Sequence, residues 1–408
     1  MNRKFNIFMV ALLAFVTLSF TSCKDDDFGD SIFDTTNYPL DRTKYTFPLD
    51  TFLKVNYLEP YNLNFIYRMQ DIASDLNKNL VPASYEKSVE LAVLTKYLWQ
   101  DVYVENAGED FLKVNSPRII HAIGSKNYNP SQGSEVMGVA EGGLKITFYN
   151  TNGLNVKNIE MMNHYFFGTM HHEFGHILDQ HVLHPLSFNT LSSGHYNSTW
   201  TETPDSVSAG WGFTSSYASS SPNEDWVETL ANYITRDSIS WANLLTSASY
   251  EWEEVDYDKA IYEDKMKVRP FNRDTIGYLN TKDNGEKKIY RRVCQRNGDD
   301  AQTVVLDADG NVQWLHRSGV FGDKLILQKV DMVRAWLKDN WNIDLESLRK
   351  SVQERLYVHR PDGTFVKDDF TGMFINRLLQ PSDEDPTRTN IEVLTDQVYK
   401  YKELQPNK

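Results

Sequence analysis

The sequence predicts an α+β fold in which two amphipathic helices cross behind a small mixed sheet. Three observations carry that expectation. Apolar residues recur at helical spacing through Asn158–Gln180, and again after Asn223. Two short runs, Arg118–Ile123 and Gly143–Tyr149, read as strands, the first apolar and the second alternating Leu144, Ile146 and Phe148. Further on, Asp274–Ser318 contains the turn signals Asp283-Asn284-Gly285 and Asp309-Gly310-Asn311 between strand-like runs, which predicts β-hairpins.

Composition sets the outer bounds. A chain of 408 residues, 40% apolar and 13% aromatic, can bury one large core or two modest ones. The formal charge of −14 disfavours nucleic acid as a partner and gives no electrostatic attraction to anionic lipid.

In chain order, Met1–Ser22 has Arg3 and Lys4 before the apolar run Ile7–Phe20, the pattern of a signal peptide too short to span a membrane comfortably. Phe20-Thr21-Ser22-Cys23 resembles a bacterial lipobox, with Phe20 where Leu or Val is usual. The resemblance implies that Cys23 becomes the acylated first residue of the mature chain. Lys24-Asp25-Asp26-Asp27 is similar to the signal that sends Bacteroidota lipoproteins to the cell surface. The implied location is the outer membrane, lipid-anchored and facing the exterior. Residues 23–44 are acidic and polar and read as a tether. Cys294 is the only other cysteine, so no intrachain disulfide remains once Cys23 carries lipid; it reads as a small buried residue.

The body begins at Tyr45, and residues 45–273 form the expected core, with 274–318 as a hairpin insertion and 319–408 as C-terminal helices and tail. Asn62–Leu76 and Ser84–Gln100 carry helical spacing, the second with Leu91, Leu94, Tyr97 and Leu98 on one face.

Within Asn158–Gln180 stands His172-Glu173-Phe174-Gly175-His176, an H-E-x-x-H pattern. On a helix the two histidines lie one turn and about 40° apart, so both imidazoles reach one ion. Glu173 projects beside them, placed to polarise a water at the metal. Phe166, Met170, Phe174 and Ile177 form a stripe well round the helix from the histidines, so a core face is separate from a metal face. Two imidazoles and a carboxylate leave a fourth position open, the pattern of a zinc site, one ion per chain.

The third ligand is less plain. The longer pattern H-E-x-x-H-x-x-G-x-x-H fails, because Asp179 and Val182 occupy its glycine and last histidine positions. His181 is out of register, and His184 reaches the site only if the helix ends early and folds back. Glu224 and Glu228 open a second helix, with Val227, Leu230, Ala231 and Ile234 on its core face. One of these acids would ligate and the other would hydrogen-bond a ligating histidine. Ser221-Pro222-Asn223-Glu224 also reads as a capping box, which makes Glu228 the alternative ligand. Asp179, two turns on from His172, is a further candidate for hydrogen-bonding near the ligands. Residues 181–221, rich in Ser, Thr, Asn and Gly with Tyr196, Trp200, Trp211 and Tyr217, read as a lid or substrate wall, or as plain surface loop.

HEFGHILD followed by NEDWVETLANYI resembles the gluzincin arrangement, and particularly lethal-factor-like peptidases. That resemblance implies a zincin-like core, Glu224 as ligand, Glu228 as its hydrogen-bonding neighbour, and Tyr217 as donor to the developing oxyanion. With lipobox, tether and HEFGH helix together, the chain resembles zinc-binding metallopeptidase lipoproteins of Bacteroidota, over about Tyr45 to Leu356. It implies hydrolysis of peptide or protein substrates with Glu173 as general base, in company with a TonB-dependent import system. The competing expectation is a capture lipoprotein that keeps zinc but presents its substrate uncut. Peptidases of this type run an edge strand along the cleft; Gly143–Tyr149 is the candidate, with an ordinary interior strand as the alternative.

Toward the C-terminus, Asp307-Ala308-Asp309-Gly310-Asn311 resembles the start of a calcium loop but lacks the later ligands, so a turn is expected. Ser238–Arg269 is rich in aromatics and acids without assignable chemistry. Val330–Asp339 and Leu345–Leu356 read as amphipathic helices behind the cleft, and His359–Lys408 as a less regular tail.

Overall fold

The computed structural model describes residues 40–69, 80–129, 134–136, 138–141, 145–255, 276–281, 287–295 and 305–406. Cys23, the signal segment and most of the tether lie outside the described residues, as does the turn at Asp283-Asn284-Gly285. The body, Tyr45–Lys408, forms one compact unit.

Its main sheet has four strands in the order β1 (Asn64–Ile66), β2 (Ile119–Ala122), β4 (Lys145–Phe148), β3 (Gly138–Glu141). The first three run parallel, and β3 pairs antiparallel with β4 at the edge. In β2 and β4, Ile120, Ala122, Ile146 and Phe148 are buried, and so are His121 and Thr147 on the opposite face. Covered on both faces and paired on both sides, β4 is interior, the alternative held for Gly143–Tyr149; the edge-strand reading of that run is corrected, and β3 takes the edge.

Asn62–Leu76 was expected to be helical, and its first part is β1. Asn62 takes a left-handed backbone, φ 52°, which ends the preceding helix. Leu63, Phe65 and Tyr67 are then buried at every second position, a period of two that a helical window averages away. Residues 70–76 lie outside the described residues. Ser84 caps α1 (Tyr85–Thr95) by accepting Lys87 N–H, and Leu91, Leu94 and Leu98 are fully buried as read.

Asn158 caps the metal helix by accepting the N–H of Met161. The chain passes through one widened turn at Asn163–Phe167 into α2 (Gly168–His181). The stripe Phe166, Met170, Phe174, Ile177 is buried as expected, with Phe174 between Trp99, Tyr103 and Phe111 at 5.2, 4.8 and 6.0 Å between ring centres. Ser221 and Pro222 begin α3 (Pro222–Thr235), which buries Trp226, Val227, Leu230, Ala231 and Ile234 against α2 and the core.

Behind α3 lie α4 (Gly322–Trp341) and α5 (Leu345–Leu356). Lys329 of α4 reaches Asp225 of α3 at 2.6 Å, both fully buried, and Gln353 of α5 donates to the Ile234 carbonyl at 2.8 Å. A second sheet, order β5 (Trp252–Val255), β7 (Lys287–Arg292), β6 (Ile276–Thr281), is antiparallel. The predicted hairpin is therefore present, and its inner strand pairs with a strand from before residue 273. Asp307 accepts the N–H groups of Asp309 and Asn311, a plain turn. The tail is more regular than expected: α6 (Asn390–Tyr399) starts with Glu392 accepting the Thr389 N–H at 2.8 Å and packs on α1.

Candidate metal centre

The helix geometry of α2 sets His172 and His176 side by side, 4.9 Å between ring centres, and ligand atoms of His172, Glu173 and His176 lie within 4.8 Å of one another. α3 closes this set. Glu224 Oε2 is 3.1 Å from His172 Nε2 and 3.2 Å from His176 Nε2. Bonds of about 2.0–2.2 Å to tetrahedral zinc put ligand atoms roughly 3.3–3.5 Å apart, close to the spacing of the Glu224 oxygen from each histidine nitrogen. Glu173 falls within the same radius, but it is the Glu224 oxygen that faces both Nε2 atoms.

The two readings of Glu224 turn out to be compatible. Its backbone N–H donates to Ser221 Oγ at 3.3 Å, which is the cap, while its carboxylate turns to the histidines instead of back to Ser221. Glu228, one turn on, lies at the other nitrogen of His172, with Oε1 2.7 Å from Nδ1. Its second oxygen accepts from Ser215 Oγ at 2.5 Å and Asn232 Nδ2 at 3.0 Å. A carboxylate so held fixes the ring plane and leaves Nε2 free for a metal.

Tyr217 stacks on His172 at 5.7 Å between ring centres, and Trp200 meets Tyr217 edge-on at 4.9 Å. Burial, and after it the negative charge of Glu224, raises the Tyr217 pKa, so the phenol keeps its proton. The candidates that do not converge are equally plain. Asp179 gives its carboxylate to the N–H and ring of His184, at 2.7 and 2.9 Å. The chain does fold back after α2, but His184 then stacks on Trp226 instead of facing His172. His181 pairs with Asn115 at 2.6 Å.

Electrostatics separate the neighbouring histidines. Burial alone drives the buried His171 down to about 3, and it remains a neutral residue beside the Tyr103 hydroxyl. Burial also opposes charge on His172, but hydrogen bonds to Glu224 and Glu228 outweigh it and raise its pKa to about 10. Burial pushes the Glu224 carboxyl up, yet its contacts with His172 and His176 more than compensate and hold it low. Glu173 is raised, chiefly by burial, against the pull of the two histidines.

Ser215 and Asn232 were not singled out from the sequence, and Trp200 was named only as part of the segment read as a lid, a substrate wall or a surface loop. Asn232 was legible, four residues after Glu228 on the same helix. Ser215 comes from an aperiodic segment and carried no signal.

Two helix histidines, a buried carboxyl from the same helix and a glutamate from a second helix form a candidate metal centre. The chain belongs to the family described as "Putative zinc-binding metallo-peptidase", whose model matches residues 42–346, and zinc is its metal. It is similar to the crystal structure of a protein described as a putative zinc-binding metallo-peptidase from Bacteroides caccae. The two are 30% identical with a TM-score of 0.51, over 76% of this chain and 91% of that one. No curated protein matches the sequence.

Proposed function

We propose that this protein is a gluzincin-type zinc peptidase, with His172, His176 and Glu224 as the zinc ligands and Glu173 as the general base. The observation that carries this reading is the Glu224 oxygen, 3.1 and 3.2 Å from the two histidine nitrogens and supplied by a separate helix. When bound, zinc supplies Lewis acidity at the open fourth position.

The chain's own groups do the rest. Glu173, its pKa raised by burial, takes a proton from the attacking water and delivers it to the leaving amine. Tyr217, kept protonated, donates to the oxygen of the scissile carbonyl as negative charge develops there. Glu228 holds His172 in one orientation throughout. β3 is an edge of the main sheet in contact with α2, and an extended peptide adds to such an edge through main-chain hydrogen bonds.

The lipobox-like Cys23 and the acidic residues after it support display on the outer membrane surface, where substrate arrives from outside the cell and a TonB-dependent import system is the partner that the family resemblance implies. The deciding experiment incubates zinc-loaded protein with a diverse peptide mixture and reads products by mass spectrometry, beside Glu173→Ala. Cleavage lost in the variant while zinc stays bound supports the peptidase. Intact peptides with both proteins, bound equally well, replace it with a zinc-containing capture protein.

A further inference from the structure

Ser215 lies in the aperiodic segment that carries Tyr217, yet it makes two bonds that join separate parts of the site. A hydroxyl has one hydrogen to give, and an ionised carboxylate only accepts. The 2.5 Å contact with Glu228 Oε2 is therefore Ser215 donating. The same oxygen accepts the N–H of Ala218 at 3.1 Å, which closes the turn Tyr217–Ser220 from its N-terminal side. Glu228 carries the connection onward, its other oxygen 2.7 Å from His172 Nδ1. Tyr217 then stacks back on the His172 ring. The four residues make a closed circuit: tyrosine turn, serine, glutamate, metal histidine, tyrosine ring.

The circuit does not serve merely to satisfy Glu228, because Asn232 already donates to the same Oε2 at 3.0 Å. Nor is Ser215 the sole anchor of its turn, since the Ser216 N–H donates to Asp205 at 2.7 Å. What Ser215 alone supplies, among these contacts, is the tie between the turn and the carboxylate.

We propose that Ser215 is a positioning residue that locks the Tyr217 turn to the carboxylate orienting His172. The oxyanion donor and the metal ligand thereby keep one register. The part concerning Tyr217 rests on the hydrolase reading above; the part concerning His172 does not.

The test uses full-length protein and Co2+ as a spectroscopic probe of the metal site. Ser215→Ala weakens Co2+ binding about 10-fold and alters its visible absorption, the scale seen when a group supporting a metal ligand is removed. Ser215→Thr, which keeps the hydroxyl, binds as the unaltered protein does. Affinity and spectrum unchanged in Ser215→Ala, or an equal loss in both variants, overturns the proposal. With a cleaved peptide in hand, Ser215→Ala lowers kcat with little change in KM, and adding it to Tyr217→Phe costs little more than Tyr217→Phe alone. Fully additive losses overturn the link to Tyr217. If the unaltered protein binds Co2+ and cuts no peptide, the peptidase reading fails, and the Co2+ comparison still decides the role of Ser215.

Discussion

A methyl group placed on Gly175 would stand 3.0 Å from Val227 Cγ1 and 3.2 Å from Leu230 Cδ2. The glycine of the HEFGH motif thus lies at a close contact between α2 and α3, one residue before His176 and beside the helix that bears Glu224. Its lack of a side chain sets the distance between two parts of the metal site.

Gly175→Ala should therefore weaken zinc binding although it touches no ligand. Overpacking costs about 1–3 kcal/mol, and alanine's better helix propensity returns about 1, so a net destabilisation of up to about 2 kcal/mol is expected. Melting of the metal-free protein and a zinc competition titration check this. Unchanged zinc affinity would show that Val227 and Leu230 yield without moving Glu224.

Glu224→Ala should abolish stoichiometric zinc binding, while Glu228→Ala should keep one ion per chain with roughly 10–100-fold weaker affinity. Elemental analysis after dialysis separates them. Zinc retained at full affinity by Glu224→Ala would transfer the ligand role to Glu228.

In metal-free protein the His172 pKa of about 10 exceeds its ordinary 6.5. The folded state then binds the proton more tightly than the unfolded state. Its contribution to stability is complete below pH 6.5 and disappears as pH rises through about 10. The melting temperature of chelator-treated protein should fall across that window, and fall less in His172→Ala. Zinc binding must expel the same proton, so zinc affinity should rise with pH over this range.

Lys329 and Asp225 are fully buried, with Lys329 also donating to the Gly212 carbonyl at 2.7 Å and Tyr196 donating to Asp225 at 2.8 Å. Lys329→Met leaves Asp225 as an uncompensated charge, and a loss of about 3–5 kcal/mol is expected by thermal or urea denaturation. Lys329→Met with Asp225→Asn should recover part of it, since both charges are then gone.

Cys23→Ala should release the protein from the membrane fraction, read by fractionation and immunoblotting. Protease added to intact cells should degrade the unaltered protein; full protection would place the anchor on the inner side.

The sequence by itself determined the local features. Three- and four-residue spacing marked α2, α3 and α5, because amphipathic periodicity is written in adjacent turns. Spacing also placed His172, Glu173 and His176 on one helix face. It left Glu224 and Glu228 open, because both acids are one turn apart on the same helix and only the packing of α2 against α3 decides which carboxylate meets both Nε2 atoms. Edge or interior stayed open for Gly143–Tyr149 for a related reason. β4 and β3 are both short, and which is outermost depends on pairing with β2, far away in the chain. Ser215 was illegible altogether: its function is to join two segments that meet only after folding, and no local period encodes that.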